Sequence, residues 1–487
     1  MQRAVPPLVA LALLAGCATT SGPFRCEAQG GREWRAVTSE HFAVVTDLDE
    51  DDARELSREL DEVRNGVAVS LFQKRHDPPV RATVIAFRSS ADYEQLAPAN
   101  SAAYYARGAA DPKIVMPGKM GLAQRRVLAH EMAHHVSAYV LLRQPRWFSE
   151  GLATWAETVG ATSAGLKMVT GPVPPGRRLL LRPQRLSARE LLAWDGAVPP
   201  GALAAYYDAA WLLVHYLIAT QGDALRAFEA RLAGAEDPDA AFRAEFPQWD
   251  PQAGGSLEIL DRELDAWALA GRFDIRPVRV EATPVQETVQ HVPPAEVHAI
   301  RLLLWEGGPG GQRDEAMRRA ELDEALAEDP AHPVLLRQLA LRDGKDPLPL
   351  ARKAVEGHPG DPRSWSFLAE YLPRDDLAGR EAALRRAVEL SPRNPVALSA
   401  LADLLLEAGR SGEALPLARQ AVQLGPFSPD VLDTYARVAA DLGNCGQAVL
   451  AGRRALDVFP DDGDPEAREV LAAHLAGHQA RCRGAGP

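Results

Sequence analysis

Cysteine is scarce in this chain, with four residues among 487. None of the four stands in a C-x-x-C pair, so the common cysteine-based metal and redox sites are excluded. Net positive charge is also lacking, and the formal net charge of −12 argues against nucleic-acid binding. Beyond the N-terminus, no run approaches the roughly 20 apolar residues of a transmembrane helix. The remaining composition, 46% hydrophobic, predicts globular cores, and the length predicts about three domains.

The N-terminus has the pattern of an export signal. Arg3 precedes an apolar run at 8–14 that is too short to span a membrane. The run ends in L-A-G-C at 14–17, which resembles the lipobox of bacterial lipoproteins. This resemblance implies a signal peptide at 1–16, a lipid on Cys17 as the membrane contact, and a cell-envelope location. By the same resemblance, Ala18 after the cysteine implies sorting to the outer membrane, facing the periplasm, in an organism with two membranes. An ordinary secretory signal is the alternative. Residues 17–33 would be a tether.

Residues 130–134 read H-E-M-A-H, and they lie in an amphipathic stretch that predicts a helix over 123–142. On a helix, His130 and His134 are one turn apart on the same face, so both imidazoles can bind one metal ion. Glu131 lies beside them, where it can hold a water molecule. Catalytic zinc commonly has three protein ligands and one open position, and Glu150 is the candidate third ligand. The pattern therefore predicts one Zn²⁺ per chain and a hydrolase.

The segment 147–157, W-F-S-E-G-L-A-T-W-A-E, resembles the W-x-x-E-G-x-A-x-x-x-E helix of gluzincin peptidases. The similarity is closest to the M1-related, peptidase MA-like group. It implies a zincin-like α+β metallopeptidase domain with His130, His134 and Glu150 as zinc ligands and Glu131 as general base. Its substrate would be a peptide or protein. The short gap between His134 and Glu150 fits the compact lipoprotein branch of this group. The chain has no counterpart of the G-x-M-E-N segment, which favours an endopeptidase over an aminopeptidase.

Gluzincins add a tyrosine or histidine that stabilises the oxyanion. The segment 206–217 resembles the Y-x-x-x-W-x-x-x-x-x-L helix that follows the zinc site in this group, and Tyr207 aligns better than Tyr206. The alternative is that these aromatic residues only pack the helix onto the core. The resemblance also implies an edge strand just before the zinc helix, for which 113–116 is the candidate. A plain sheet strand is the alternative.

Strand and helix patterns alternate from Trp34 onward and place the metallopeptidase domain at 34–273. Apolar runs predict strands at 41–46 and 80–87, and an amphipathic stretch predicts a helix at 51–71. Shorter extended segments are predicted at 104–109 and 113–116. Turn residues in 166–181 suggest a hairpin or flap. Residues 274–296, rich in Val, Glu and Pro, are interpreted as an interdomain linker or extended segment.

The C-terminal part, 297–487, repeats with a period of 34 residues. Pro392, Pro426 and Pro460 keep this interval. The same spacing holds for two further sets of small residues, Ala387, Ala421 and Ala455, and Gly409 and Gly443. This period predicts an all-α tetratricopeptide-repeat solenoid, in which small residues let helices approach and proline ends a helix. Such an array binds a peptide or protein partner.

Three cysteines remain if Cys17 carries lipid. Cys445 and Cys482 both fall in the repeats and are candidates for a disulfide in an oxidising compartment, which leaves Cys26 over. The combined prediction is a lipid-anchored zinc metallopeptidase whose repeats recruit a substrate or partner. The alternative is a non-catalytic envelope scaffold lipoprotein, in which the repeats carry the function. Glu131 discriminates the two, because a scaffold has no need of an acid beside the metal ligands.

Overall fold

The structure is a computed structural model that describes residues 27, 30–72, 79–97, 101–106, 113–161, 167–170, 173, 186–194, 198–199, 201–273, 276–279, 286–307, 315–459 and 463–484. The predicted signal peptide, the predicted lipidation site Cys17 and Cys26 lie outside the described residues, as does most of the predicted flap at 166–181. In the described part of the chain, no helix is both long and apolar enough to cross a bilayer.

Two sheets form the strand framework of the N-terminal domain. Its strands are β1 (Trp34–Thr38), β2 (Phe42–Thr46), β3 (Ala82–Phe87), β4 (Tyr104–Ala106), β5 (Lys113–Pro117), β6 (Gly160–Ala161), β7 (Lys167–Thr170), β8 (Arg276–Arg279) and β9 (Thr288–Val292). The larger sheet has the order β4-β5-β3-β2-β1-β9, and the smaller one has the order β6-β7-β8. In the larger sheet, β3 pairs in parallel with β2 and β5, and the remaining pairs are antiparallel.

Both faces of the larger sheet are covered. Side chains of a strand alternate between faces, so Val84 and Ala86 enter one core while Ile85 and Phe87 enter the other. This double burial explains why β3 carries apolar residues at four consecutive positions, 84–87, rather than at alternating ones.

The helices of this domain, within the described ranges, are α1 (Glu50–Phe72), α2 (Ser90–Leu96), α3 (Leu122–Val140), α4 (Arg146–Ala156), α5 (Ala188–Leu192), α6 (Leu203–Thr220), α7 (Gly222–Ala233), α8 (Pro238–Glu245) and α9 (Leu257–Ala270). The first core contains one face of the sheet together with apolar residues of α1, α3, α4 and α6. On α3, Leu128, Met132 and Val136 have no exposed surface, and Leu128 and Met132 belong to this core. The opposite side of α3 therefore faces away from the sheet.

Two sequence interpretations need correction. The candidate edge strand, β5, is an inner strand, because β4 pairs with its free side at Tyr104 opposite Val115. Within the described residues, the edge strands of this sheet are therefore β4 and β9. Of the two interpretations of 274–296, the strands agree with an extended segment rather than a linker, since β8 joins the smaller sheet and β9 pairs with β1. The strand pairings extend the domain beyond 273, because backbone groups of these residues find their partners in its sheets.

The repeat part consists of paired helices, α10 (Pro294–Gly307), α11 (Glu315–Glu328), α12 (Pro333–Asp343), α13 (Pro347–Gly357), α14 (Pro362–Tyr371), α15 (Leu377–Leu390), α16 (Pro395–Glu407), α17 (Ser411–Leu424), α18 (Pro429–Asp441), α19 (Cys445–Asp457) and α20 (Pro465–Gly484). The periodic alanines Ala387, Ala421 and Ala455 have no exposed surface. Gly409 and Gly443 adopt the left-handed backbone conformation between helices, with φ of 71° and 74°. The predicted helical repeat is thus confirmed, and its first helix begins at Pro294.

The array contacts the N-terminal domain at both ends. Apolar residues of α10 to α12 cover the second face of the larger sheet. Farther along, the Tyr139 hydroxyl at the end of α3 donates to the Leu424 carbonyl at 2.9 Å, and Arg143 donates to Asp457 at 2.7 Å. The sulfur atoms of Cys445 and Cys482 form the predicted disulfide, which joins α19 to α20.

Candidate metal centre

Helix α3 presents two imidazoles on the side that faces away from the sheet. His130 and His134 are one turn apart, and their Nε2 atoms lie 3.2 Å from each other. Both side chains are mostly buried, with 14% and 12% of their surface exposed. The helix is fixed by its buried opposite face, so the two rings are held toward one point. This is the arrangement that the H-E-x-x-H spacing predicts.

Helix α4 supplies the carboxylate. The chain turns back after α3, and Glu150 is buried on the side of α4 that faces the imidazoles. Its Oε2 atom lies 3.5 Å from His130 Nε2 and 3.4 Å from His134 Nε2. In the described part of the chain, this buried oxygen accepts no well-aligned hydrogen bond. Among the described residues, one group of three side chains could hold a metal ion, and it consists of His130, His134 and Glu150.

The triangle of donor atoms fits a zinc ion. Its edges are 3.2, 3.4 and 3.5 Å. Tetrahedral zinc with nitrogen and oxygen ligands at about 2.0–2.2 Å separates its ligand atoms by about 3.3–3.6 Å. Two neutral nitrogens and one carboxylate oxygen are also a donor set that zinc accepts. The residues predicted as ligands therefore form a set suitable for zinc.

The other ring nitrogens have partners that orient the imidazoles. His130 Nδ1 lies 3.1 Å from Glu157 Oε1, and His134 Nδ1 lies 3.1 Å from Ser149 Oγ. Metal-binding histidines commonly donate this second N–H to a carboxylate or another acceptor, which sets the tautomer and the ring orientation. Neither Glu157 nor Ser149 is among the site residues predicted from the sequence. The sequence motif could have identified Glu157, because this residue ends the W-x-x-E-G-x-A-x-x-x-E pattern two helical turns after Glu150.

Charge coupling within the triangle is strong. Burial lowers the pKa of His130, but the Glu150 and Glu157 carboxylates outweigh burial and raise this pKa to about 10. Burial also works against the charged form of Glu150, yet His134 and His130 hold the pKa of Glu150 well below its usual range. In the metal-free protein at neutral pH, His130 therefore carries a proton on the imidazole that a metal ion requires in neutral form.

Zinc binding is therefore expected to release about one proton per ion near pH 7, because a metal ion must displace the His130 proton. The apparent affinity should rise about tenfold per pH unit while pH is below the His130 pKa of about 10. Calorimetric titration with zinc between pH 6 and 8, in buffers of different protonation enthalpy, measures the release directly. The Glu157→Gln variant should release fewer protons per zinc ion, because it lacks one of the carboxylates that stabilise the proton on His130. Equal heats in all buffers would contradict the assignment.

The two predicted catalytic residues lie next to the triangle. Glu131 is half-buried, and its charge contributes to raising the pKa of both His130 and Tyr207. The ring centroid of Tyr207 on α6 is 6.0 Å from that of His130. Burial, followed by the charge of Glu150, raises the pKa of Tyr207, so its hydroxyl keeps its proton at neutral pH. Tyr206 instead packs on Trp194, with ring centroids 5.0 Å apart.

His135, the third histidine of the zinc helix, lies outside the centre. It is 4% exposed, and burial, with a smaller contribution from Arg64, lowers its pKa to about 4. Its ring packs against Tyr139 with centroids 5.5 Å apart. His135 is therefore a buried side chain and is not one of the three residues that could hold a metal ion. The helical rotation of about 100° per residue turns it into the protein interior.

Gly151 determines how closely α4 approaches α6. A Cβ atom at this position would lie 2.5 Å from Val214 Cγ2 and 2.7 Å from the Ala210 carbonyl oxygen. Since α6 carries Tyr207 and α4 carries Glu150, this close crossing sets the distance between the two side chains. Close packing against α6 thus explains why a glycine follows the glutamate in the E-G pattern.

Replacing Gly151 by alanine should lower the free energy of unfolding by about 1–3 kcal/mol, because backbone atoms of α6 have to move. Urea unfolding followed by circular dichroism measures the change. The matched control is Gly477→Ala in α20, where a Cβ meets no atom within 4 Å. That variant should gain about 0.5–1 kcal/mol from reduced backbone freedom of the unfolded chain. Similar stability of both variants would refute the close-crossing argument.

No protein-family model matches this chain, and no curated protein matches it. Similar solved structures include a thermophilic TPR protein of Thermus thermophilus, 18% identical, covering 37% of this chain and 99% of that chain, with a TM-score of 0.30. YrrB, a TPR protein with an unusual peptide-binding site, is 18% identical, covers 38% and 92%, and has a TM-score of 0.27. PilF of Pseudomonas aeruginosa is 16% identical, covers 39% and 87%, and has a TM-score of 0.29.

These likenesses concern the repeat type and are too distant to carry an argument about activity. The tetratricopeptide part of the sequence prediction is confirmed by the chain's own helix pairs. The gluzincin resemblance of the N-terminal domain stays a prediction.

Proposed function

We propose that this chain is a zinc-dependent metallopeptidase, most consistent with an endopeptidase, whose repeats recruit a substrate or a partner protein. The observation that carries the proposal is the triangle of His130, His134 and Glu150, with edges of 3.2 to 3.5 Å, beside the half-buried Glu131. Structural zinc sites are usually closed by four protein ligands. Three ligands with an adjacent acid instead favour a catalytic site.

Each site residue has a task that its position supports. A bound zinc ion would supply Lewis-acid chemistry, polarising a carbonyl group and lowering the pKa of a coordinated water. Glu131 accepts the proton of the attacking water and delivers it to the leaving amine. Glu157 and Ser149 hold the imidazoles in the required tautomer. Tyr207, kept protonated by its raised pKa, donates a hydrogen bond to the oxygen on which negative charge develops. Such a donor is worth ~3 kcal/mol in the transition state.

The proposal extends to location. The lipobox-like segment ending at Cys17 would place the protein in a bacterial cell envelope, attached by lipid and facing the periplasm at the outer membrane. The disulfide between Cys445 and Cys482 supports an oxidising compartment.

Metal removal tests the proposed activity. Purified protein is incubated with an unfolded protein such as reduced, alkylated casein, and fragments are followed by mass spectrometry. Cleavage is expected with one equivalent of zinc, should cease after dialysis against a chelator, and should return with added zinc. Cleavage that persists in the chelated protein would point to a contaminating or metal-independent protease.

The second candidate function is a non-catalytic scaffold that binds a protein partner. The helix pairs from α10 to α20 favour it, because repeat arrays present extended surfaces for other chains. Similar solved structures are repeat proteins, and YrrB is described as having a peptide-binding site. Partner binding that is equal for wild type and Glu131→Gln, with no cleavage by wild type, would favour the scaffold.

A further inference from the structure

Helices α3 and α4, which carry the proposed metal ligands, are joined by the turn at 141–145. The repeat array contacts this turn and the helix end before it. In the last turn of α3, the Tyr139 hydroxyl donates to the Leu424 carbonyl at 2.9 Å. The Tyr139 ring packs edge to face on Phe427, with centroids 5.8 Å apart. The array thus holds the end of the helix from which both imidazoles project.

Arg143, within the turn, is held between the two parts of the protein. Its Nη1 atom donates to Asp237, the residue before α8, at 3.0 Å, and its Nε atom donates to Asp457 of the array at 2.7 Å. The Arg143 side chain is only 12% exposed. A mostly buried guanidinium makes stronger charge-assisted hydrogen bonds than an exposed ion pair does. The turn is therefore fastened to the N-terminal domain on one side and to the array on the other.

Hydrogen bonds lead from this turn to one of the ligands. The Gln144 side-chain amide donates to the Ser137 hydroxyl oxygen at 3.3 Å, and the same hydroxyl donates to the backbone carbonyl of His134 at 3.3 Å. Glu150 lies on the other side of the turn, in α4. A shift of the turn therefore moves His134 and Glu150 relative to each other. Metal sites need their ligands within about 0.5 Å of the binding geometry, so such a shift weakens binding.

The array is anchored to the N-terminal domain at further places. Apolar residues of α10 to α12 cover the second face of the larger sheet. Arg393, between α15 and α16, donates to the Pro79 carbonyl, and Val80 packs against buried apolar residues of α16, α17 and α18. With these anchors the array has a fixed position on the domain, so its contacts with the α3–α4 turn act from a firm support.

We infer that the repeat array is a structural part of the metal centre, with Tyr139 and Arg143 as positioning residues that hold the turn between the ligand-bearing helices. The array raises the affinity for zinc without supplying a ligand. Because such coupling is reciprocal, bound zinc strengthens the docking of the array by the same factor. The positioning role rests on the metal centre of the proposed function, and it gives the repeats a task besides recruiting a partner.

The test compares two double variants of the full chain. The array-link variant, Tyr139→Phe with Asp457→Ala, removes the two hydrogen bonds between the array and the α3–α4 region and leaves every ligand in place. The control variant, Tyr435→Phe with Asp403→Ala, makes the same chemical changes inside the array, where both side chains bond to other array residues. Asp403 and Asp457 are equally exposed, at 34%.

Metal binding is the first readout, measured at pH 7 by competition with a chromophoric chelator. The array-link variant should bind zinc about 3- to 30-fold more weakly than wild type, the range over which changes at a distance modulate coupling. The control variant should keep the wild-type affinity. With cobalt(II) as an optical probe in place of zinc, the visible d–d spectrum reports the geometry of the ligands. This spectrum should differ from that of wild type only in the array-link variant.

Hydrogen exchange supplies a second readout, and it needs no variant. In wild type, saturating zinc should slow the exchange of backbone amides at 424–428 and 457–459 by up to the same factor, because undocking of the array costs more free energy when the ion is bound. Amides at 364–370 in α14 serve as the internal reference, and zinc should leave their exchange unchanged.

The outcomes separate the positioning role from the proposed activity. Weaker zinc binding and a changed cobalt spectrum in the array-link variant alone would support the role even if wild type cleaves no peptide, in which case only the peptidase proposal fails. Wild-type zinc affinity in the array-link variant would overturn the role, as would amide exchange at 424–428 that zinc does not slow. If wild type binds no zinc, the metal centre and the positioning role fail together.

Discussion

Replacing Glu131 by glutamine is expected to reduce kcat for peptide cleavage by about a thousandfold, within the range that general acid–base catalysis contributes. Glutamine has nearly the same shape but cannot accept the proton of the attacking water. His130, His134 and Glu150 are unchanged in this variant, so zinc content should remain about one per chain. The two readouts are initial cleavage rates at saturating substrate and elemental analysis of the same preparation.

The matched control for this variant is Glu62→Gln. Glu62 is an exposed glutamate on α1, so the same chemical change there should leave both the rate and the metal content at wild-type values. Unchanged proteolysis in Glu131→Gln would show that this carboxylate is not the general base. Loss of zinc together with activity would mean that Glu131 supports the metal rather than the proton transfer.

Replacing Glu150 by alanine is expected to remove zinc from the protein. Glu150 supplies one of three ligand atoms and the carboxylate charge within the triangle, and the remaining imidazoles on α3 hold a divalent ion much more weakly. Zinc content after dialysis should fall from about one per chain to near zero. Elemental analysis of wild type and variant side by side measures the difference.

A graded control accompanies this measurement. Glu157→Gln keeps all three ligands and changes only the partner of His130, so zinc affinity should fall by about 10- to 100-fold while a full site is still reached at high zinc. Circular dichroism confirms that both variants are folded. Stoichiometric zinc in Glu150→Ala at the wild-type affinity would remove Glu150 from the ligand set and would weaken the comparison with gluzincins.

Much of the candidate site could be predicted from the sequence, because it depends on the spacing of residues within single helices. The spacing of His130 and His134 by one helical turn determines that both rings face the same way, whatever surrounds the helix. The E-G pair and Glu157 likewise belong to one short helix. The position of this helix relative to α3 depends on tertiary packing, which brings the Glu150 oxygen within 3.5 Å of both imidazoles.

The sequence by itself determined features that depend on local spacing: the helical face of the candidate ligands, the 34-residue period of the array and the consecutive apolar residues of β3. The tertiary structure decided what depends on contacts between distant segments. It paired β9 with β1, made β4 rather than β5 the edge strand, turned His135 inward, and placed Trp194 between Arg146 and Tyr207. Local spacing reflects the geometry of a single helix or strand. Strand order and side-chain stacking instead depend on which surfaces bury each other, and that competition involves the whole chain.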